Sequence, residues 1–168
     1  MKKLILAAAA ILVCSFASVK AQVKLGHINS TTLLQAMPET KVADSTLTKY
    51  GKSLEDQLKV MSGEYDKKVD DYKKNEASMA DPIKETRVKE ITDLEDRIRN
   101  FQQSAQDNIQ KKKEELYQPI IKKADDAIKA VAKDKGYTYI FDSSVGVLLY
   151  ANDSDDIMSM VKTKLGLK

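Results

Sequence analysis

Apolar residues recur at helical spacing through most of the chain. Leu47, Tyr50, Leu54, Leu58, Met61, Tyr65, Val69 and Tyr72 are separated by steps of 3 or 4. Their mean period lies between about 3.5 and 3.67 residues, which predicts a long helix with one apolar seam. Glu55/Lys59, Glu64/Lys68 and Asp70/Lys74 are acid-to-base pairs four apart, suited to an exposed helix face. Gly51 and Gly63 each weaken the helix by about 1 kcal/mol relative to Ala; they are either bending points of the arm or plain tolerated glycines. The seam stops at Ser78-Met79-Ala80-Asp81-Pro82, where Asp-Pro predicts a turn. It resumes at Val88, Ile91, Leu94, Ile98, Phe101 and Ala105. From there it continues through Ile109, Leu116, Ile120, Ala124, Ala127 and Val131. Gly136, following Lys133 and Lys135, is the expected stop.

The flanks read differently. Residues 23–29 alternate in part like a short strand. Asn29-Ser30-Thr31 offers caps for a short helix with Leu33, Leu34 and Met37 on one face, ended by Pro38. Thr40 is the expected cap of the long helix. After Gly136, residues 137–142 and 147–150 predict a β-hairpin around Ser143-Ser144-Val145-Gly146. Asp153 or Ser154 is the expected cap of a last helix carrying Ile157, Met160, Val161 and Leu165.

The fold class that follows is α+β, mainly α. A long antiparallel helical hairpin, a coiled-coil arm, projects from a small β body. Residues 22–38 supply a body strand and short helix. Residues 39–118 form the arm, with its tip near 78–83. Residues 119–168 return to the body. Folding the arm about residue 80 sets Leu47 near Lys113 and Thr40 near Ile120. Pro119 then falls at the joint of arm and body, where a kink or local break is expected. The arm should be about 55–60 Å long. Three short strands are too few for a stable isolated sheet, so the body is expected to form by oligomerisation. Val23, Leu25, Ile28, Tyr139, Phe141, Val147 and Leu149 are the candidate residues.

The first 21 residues are set apart. Lys2 and Lys3 precede an apolar run from Leu4 to Ala17, and Val19-Lys20-Ala21 fits cleavage before Gln22. This is the pattern of a cleaved secretory signal, and it predicts export across the inner membrane. Removing it takes three of the 28 basic residues and leaves 25 basic against 25 acidic. A net charge of zero gives no reason to expect nucleic-acid binding. Cys14, the only cysteine, leaves with the signal, so no disulfide or thiol chemistry is expected.

Catalytic patterns are missing too. There is no Gly-Lys-Ser/Thr phosphate loop and no Gly-x-Ser-x-Gly turn. His27 is the single histidine, too few for a zinc cluster. The acidic runs Asp70-Asp71, Asp125-Asp126 and 153–156 read as solvated faces or a helix start, and the Lys111-Lys112-Lys113 run is offset by Glu114-Glu115. No enzyme, metal or cofactor is expected.

The order of parts nevertheless carries a resemblance. The "GHIN" segment, the Leu34…Met37-Pro38 helix end and the long hairpin come first. Ala127-Ile128-Lys129-Ala130-Val131-Ala132 then runs into Lys135-Gly136-Tyr137 and "YIFD", followed by "VLLYAN", Asp156-Ile157 and Val161. In this order the chain resembles the Skp/OmpH family of periplasmic chaperones over its whole mature length. The resemblance implies a homotrimer whose strands form a small barrel and whose arms enclose a cavity. It implies an ATP-independent holdase for unfolded outer-membrane β-barrel proteins, working in transient proximity to a membrane. Met61, Tyr65, Tyr72, Met79, Pro82 and Ile83 are the candidate client contacts. Familiar members have basic arms, whereas residues 49–112 here hold 14 basic and 14 acidic residues. Apolar contact must therefore carry more of the binding. The rival expectation is a trimeric coiled-coil spacer or adaptor that docks on one folded envelope protein.

Overall fold

The computed structural model describes residues 23–167, so the expected signal segment lies outside the described residues. Its elements run in the order β1 (Leu25–Ile28), α1 (Ser30–Ala36), α2 (Pro38–Asn75), α3 (Asp81–Lys135), β2 (Tyr139–Asp142) and α4 (Met158–Lys164). Single 3-10 turns lie at Glu76–Ser78, Ser143–Val145 and Asp153–Asp155. The expected class holds: the chain is mainly helical, with long antiparallel helices and a small sheet.

Helix α2 has 38 residues, about 57 Å at 1.5 Å per residue, and α3 has 55. The seam residues Leu47, Tyr50, Leu54, Leu58, Met61, Tyr65, Val69 and Tyr72 are all half-buried. They face Ile91, Leu94, Ile98, Phe101, Ala105 and Ile109 on α3, of which Leu94 is fully buried. Two helices alone cannot cover a seam more deeply. Val88, expected on the seam, is exposed instead. Interhelical ties fix the register. Lys68 meets Glu90 at 2.9 Å, Tyr117 donates to Asp44, and Lys123 pairs with Glu39. These agree with a fold point at residue 80 to within two positions. Lys68 thus crosses to α3 rather than pairing with Glu64 along its own helix.

The tip differs slightly from expectation. The break lies at Met79 and Ala80, both extended, and Asp81-Pro82 already opens α3. The first helical amides have no intrahelical acceptor, so proline loses nothing there. Pro119 departs further from expectation. It sits inside α3, which continues unbroken through it to Lys135. Packing on both sides holds the helix across the missing N–H.

The body forms where α1, the base of the hairpin and α4 meet. Its core is Ile28, Leu33, Met37, Ala43, Ile120, Ala124, Ala127, Val131, Ile157 and Val161. Asn29 caps α1, accepting from the Thr32 amide at 2.9 Å. Thr40 is not the cap of α2, which begins at Pro38 after Met37. Its hydroxyl instead donates to the Leu34 carbonyl at 2.6 Å, closing the end of α1. Gly136 ends α3 in the left-handed conformation (φ 69°), with the Tyr137 amide donating to Ala132 O at 2.9 Å.

Strands β1 and β2 pair in parallel, Leu25 opposite Tyr139 and Ile28 opposite Asp142. The whole arm is therefore the crossover between neighbouring strands. The expected β-hairpin is absent, since residues 147–150 pair with no strand among the described residues. A strand needs a ladder partner, and residues 147–150 find none among the described residues of the single chain. The caps expected for α4 are also corrected. Asp153 and Ser154 form a 3-10 turn, and Asp156 Oδ1 accepts from the Met158 amide at 2.8 Å.

Candidate functional site

The short strands sort their side chains by alternation. Gly26 and Ile28 turn inward, and Ile28 is only 2% exposed. It belongs to the chain's own core and has no surface to offer a partner. Gly26 lies where a Cβ would come within 2.9 Å of Tyr137 Cε1 and 3.0 Å of Ile140 Cδ1. Any side chain there would have to displace the Tyr137 ring and the end of Ile140, so the close packing on β1 favours glycine.

The outer face is apolar and open. Leu25, Tyr139 and Phe141 lie on it, the two rings stacked with centroids 6.5 Å apart. Val23 is exposed beside them. Residues 147–150 lie close by, with Val147 73%, Leu149 96% and Tyr150 80% exposed. A cleft of about 210 Å³ separates this segment from the sheet, lined by Leu25, His27, Phe141, Leu148, Tyr150 and Asn152 among others. Large apolar side chains gathered at this exposure leave an apolar patch open to solvent in the single chain. Six of the seven residues read as body contacts thus share one exposed region, and Ile28 does not.

The edge of this face is held electrostatically. Asp142 accepts from the Ser30 hydroxyl at 2.5 Å, the Ser30 amide at 3.2 Å and the Ser144 amide at 2.9 Å. Burial pushes its carboxyl up, and these hydrogen bonds outweigh burial and bring it down to about 2.

On the arm the expected client contacts divide. Met61, Tyr65 and Tyr72 are half-buried in the seam and pack the hairpin. The Tyr72 hydroxyl also donates to Glu76 at 3.2 Å, and desolvation followed by that carboxylate raises its pKa. Met79 is half-buried in a polar recess at the tip, beside Lys68, Tyr72, Asn75 and Ile91. Pro82 and Ile83 are exposed. The structure adds Val42, Val60 and Ile121, apolar residues exposed on the arm and its base. Sequence reading passed over them because they fall off the seam spacing; that misfit was itself their signal. Some arm charges are met nearby. Arg99 reaches Glu95 and Asp96, Lys112 reaches Glu115, and Lys68 and Arg87 share Glu90, whose pKa they lower.

Among the described residues no group of His, Cys, Asp and Glu could hold a metal, and no helix is long and apolar enough to cross a membrane.

The sequence model of the family described as "Outer membrane protein (OmpH-like)" matches residues 24–165. The chain belongs to the OmpH-like family. This OmpH-like chain is 24% identical over 166 residues to the Chaperone protein Skp of Pectobacterium atrosepticum, covering 96% of this chain and 100% of that one. With the Chaperone protein Skp of Vibrio cholerae it shares 26% identity over 122 residues, 72% of each chain. The crystal structure of an OmpH-like protein from Caulobacter crescentus superposes with a TM-score of 0.75 at 14% identity, over 86% of this chain and 85% of that one. That likeness shows the fold. The resemblance read from the residues is confirmed, and the family is one of chaperones, not enzymes.

Proposed function

We propose that this OmpH-like chain is an ATP-independent periplasmic holdase, which binds unfolded outer-membrane β-barrel proteins between the helical arms of a homotrimer. One relationship carries the reading: an open apolar sheet face sits at the root of an arm about 57 Å long. The face supports self-association, and arms held side by side would enclose a space. Val60, Ile83 and Val88 would offer the client scattered apolar contacts, each weak. Sequestration lowers the free concentration of aggregating chain, and mass action then favours the soluble complex.

Diluting an unfolded outer-membrane β-barrel protein from urea into the mature chain, without ATP, tests this by light scattering. Suppression should saturate near one trimer per client. No suppression at several-fold excess, from protein shown to be folded and self-associated, would overturn it.

One observation favours a second reading, a trimeric spacer or adaptor for a specific folded partner. Met61, Tyr65 and Tyr72 are taken up by the hairpin itself, and the arm is charge-balanced. That reading expects a stoichiometric complex with one partner and no protection of unrelated unfolded chains.

A further inference from the structure

Four of the chain's eight glutamines fall within residues 102–110, on the arm between its tip and the body. The composition of α3 changes there. Residues 81–99 hold 11 charged residues in 19, whereas residues 100–110 hold one, Asp107, among six amide side chains. Charge returns at Lys111-Lys112-Lys113-Glu114-Glu115. An exposed helix stays in water equally well with charged side chains, as the rest of α3 shows, so solvation does not account for the amides.

Gln103, Gln106 and Gln110 are exposed and separated by steps of 3 and 4, which puts them on one flank of α3. The same spacing carries the flank on to Glu114, Tyr117 and Ile121. There Gln110, Lys113, Glu114, Tyr117, Gln118 and Ile121 line a recess of about 390 Å³. The Tyr117 hydroxyl is tied to Asp44, which holds the ring in place, and Ile121 is 51% exposed. The amide nitrogens of Gln103 and Gln110 reach Asp107 at 3.4 Å and Glu114 at 2.7 Å along their own helix. Each of those bonds uses one N–H hydrogen and leaves the carbonyl oxygen and the second hydrogen of the side chain unspent.

A carboxamide offers donors and an acceptor without charge, the same groups that a peptide unit presents. In a folded partner nearly all buried backbone N–H and C=O groups are already paired, while in an unfolded chain they are open. Nucleic acid and anionic membrane fit poorly, because Lys113 on this flank is offset by Glu114. The rise from Gln106 to Gln110 is about 6 Å, close to the roughly 6.7 Å at which an extended chain repeats one backbone face.

We propose that this flank of α3 binds the backbone of an extended, unfolded polypeptide: Gln103, Gln106 and Gln110 hydrogen-bond its peptide groups, and the recess at Tyr117 and Ile121 takes one of its apolar side chains. Such a surface reads the lack of structure in a client and not its sequence. From Gln103 to Ile121 it runs about 27 Å, room for about eight extended residues. The proposal rests on the holdase reading and says where on the arm, and by which groups, the client is held.

The probe is an uncharged, Ser-rich peptide of about eight residues with one central Leu, labelled with a fluorophore and titrated with the mature chain by anisotropy. A second copy of the peptide is N-methylated at alternate residues, which removes backbone donors and keeps every side chain. Methylation should weaken binding about fivefold. The triple variant Gln103→Ala, Gln106→Ala, Gln110→Ala keeps a strong helix former at each position. It should bind the plain peptide about fivefold more weakly than wild type does, and should no longer distinguish the two peptides. No binding by wild type, equal binding of both peptides by wild type, or full affinity in the triple variant would each overturn the proposal. A change in sedimentation with unchanged peptide affinity would also overturn it, assigning the flank to a second copy. Suppression of client aggregation is measured beside these titrations. Suppression without discrimination between the peptides removes the flank and leaves the holdase reading. Discrimination without suppression keeps the flank as a peptide-binding surface and removes the holdase reading.

Discussion

The Ser30 hydroxyl donates to Asp142 at 2.5 Å across 112 residues of sequence. The same carboxylate receives the first amide of α1 and the amide of Ser144. One side chain at the end of β2 therefore caps the helix that follows β1. It closes the loop that the arm opens.

Asp142→Ala should destabilise the body by about 1–2 kcal/mol at neutral pH, read from urea unfolding. The carboxyl is held at about 2 in the fold, against an ordinary 3.8. A lowered pKa contributes stability that is present above the unfolded value and is lost as pH falls through the folded one. The gap between wild type and variant should therefore be full above about pH 4 and close towards pH 2. A gap that stays constant over that window would mean the carboxylate's charge is irrelevant.

Gly26→Ala should cost roughly 1–3 kcal/mol, because the new methyl meets Tyr137 and Ile140 inside ordinary contact distance. Thermal melts check the size of the loss. Adding Tyr137→Leu to the Gly26→Ala variant should recover part of it.

Pro119→Ala should stabilise the chain. Pro119 lies exposed within an unbroken helix and cannot donate to the preceding turn. Restoring the amide is worth up to about 3 kcal/mol in a helix interior. Calorimetry should show a higher Tm, and a lower one would mean that the missing bond is needed for the local helix path.

Leu149→Asp and Tyr139→Asp should leave helicity unchanged and weaken self-association by tenfold or more in sedimentation, about 1.4 kcal/mol or more. Both side chains are exposed in the single chain, so the fold itself loses little. Ile28→Asp should instead unfold the body.

The arm variants should separate packing from capture. Leu94→Ala should cost about 2–4 kcal/mol through lost burial at the seam. Combined Val60→Ser and Ile83→Ser, at exposed positions, should move the Tm by little and reduce suppression of client aggregation several-fold. Equal suppression by the double variant would shift weight to the adaptor reading.

Helical spacing over residues 47–131 was enough to place both long helices, their seam, their length and the pairing of Leu47 near Lys113. A helix is made by contacts three and four residues apart, and its pattern is written locally. The Gly136 stop was legible for the same reason, as was the open apolar content of residues 137–150. What joins distant parts was not. The parallel pairing of β1 with β2, the capping of α1 by Asp142, the close packing that favours glycine at 26 and the turning of Ile28 inward all depend on groups brought together across the whole arm. Residues 147–150 carry the apolar run of a strand, yet a strand exists only with a partner to complete its ladder. Composition and local period thus determined the arm and the apolar character of the body. Only the tertiary structure decided which apolar residues the chain keeps for itself and which it leaves exposed.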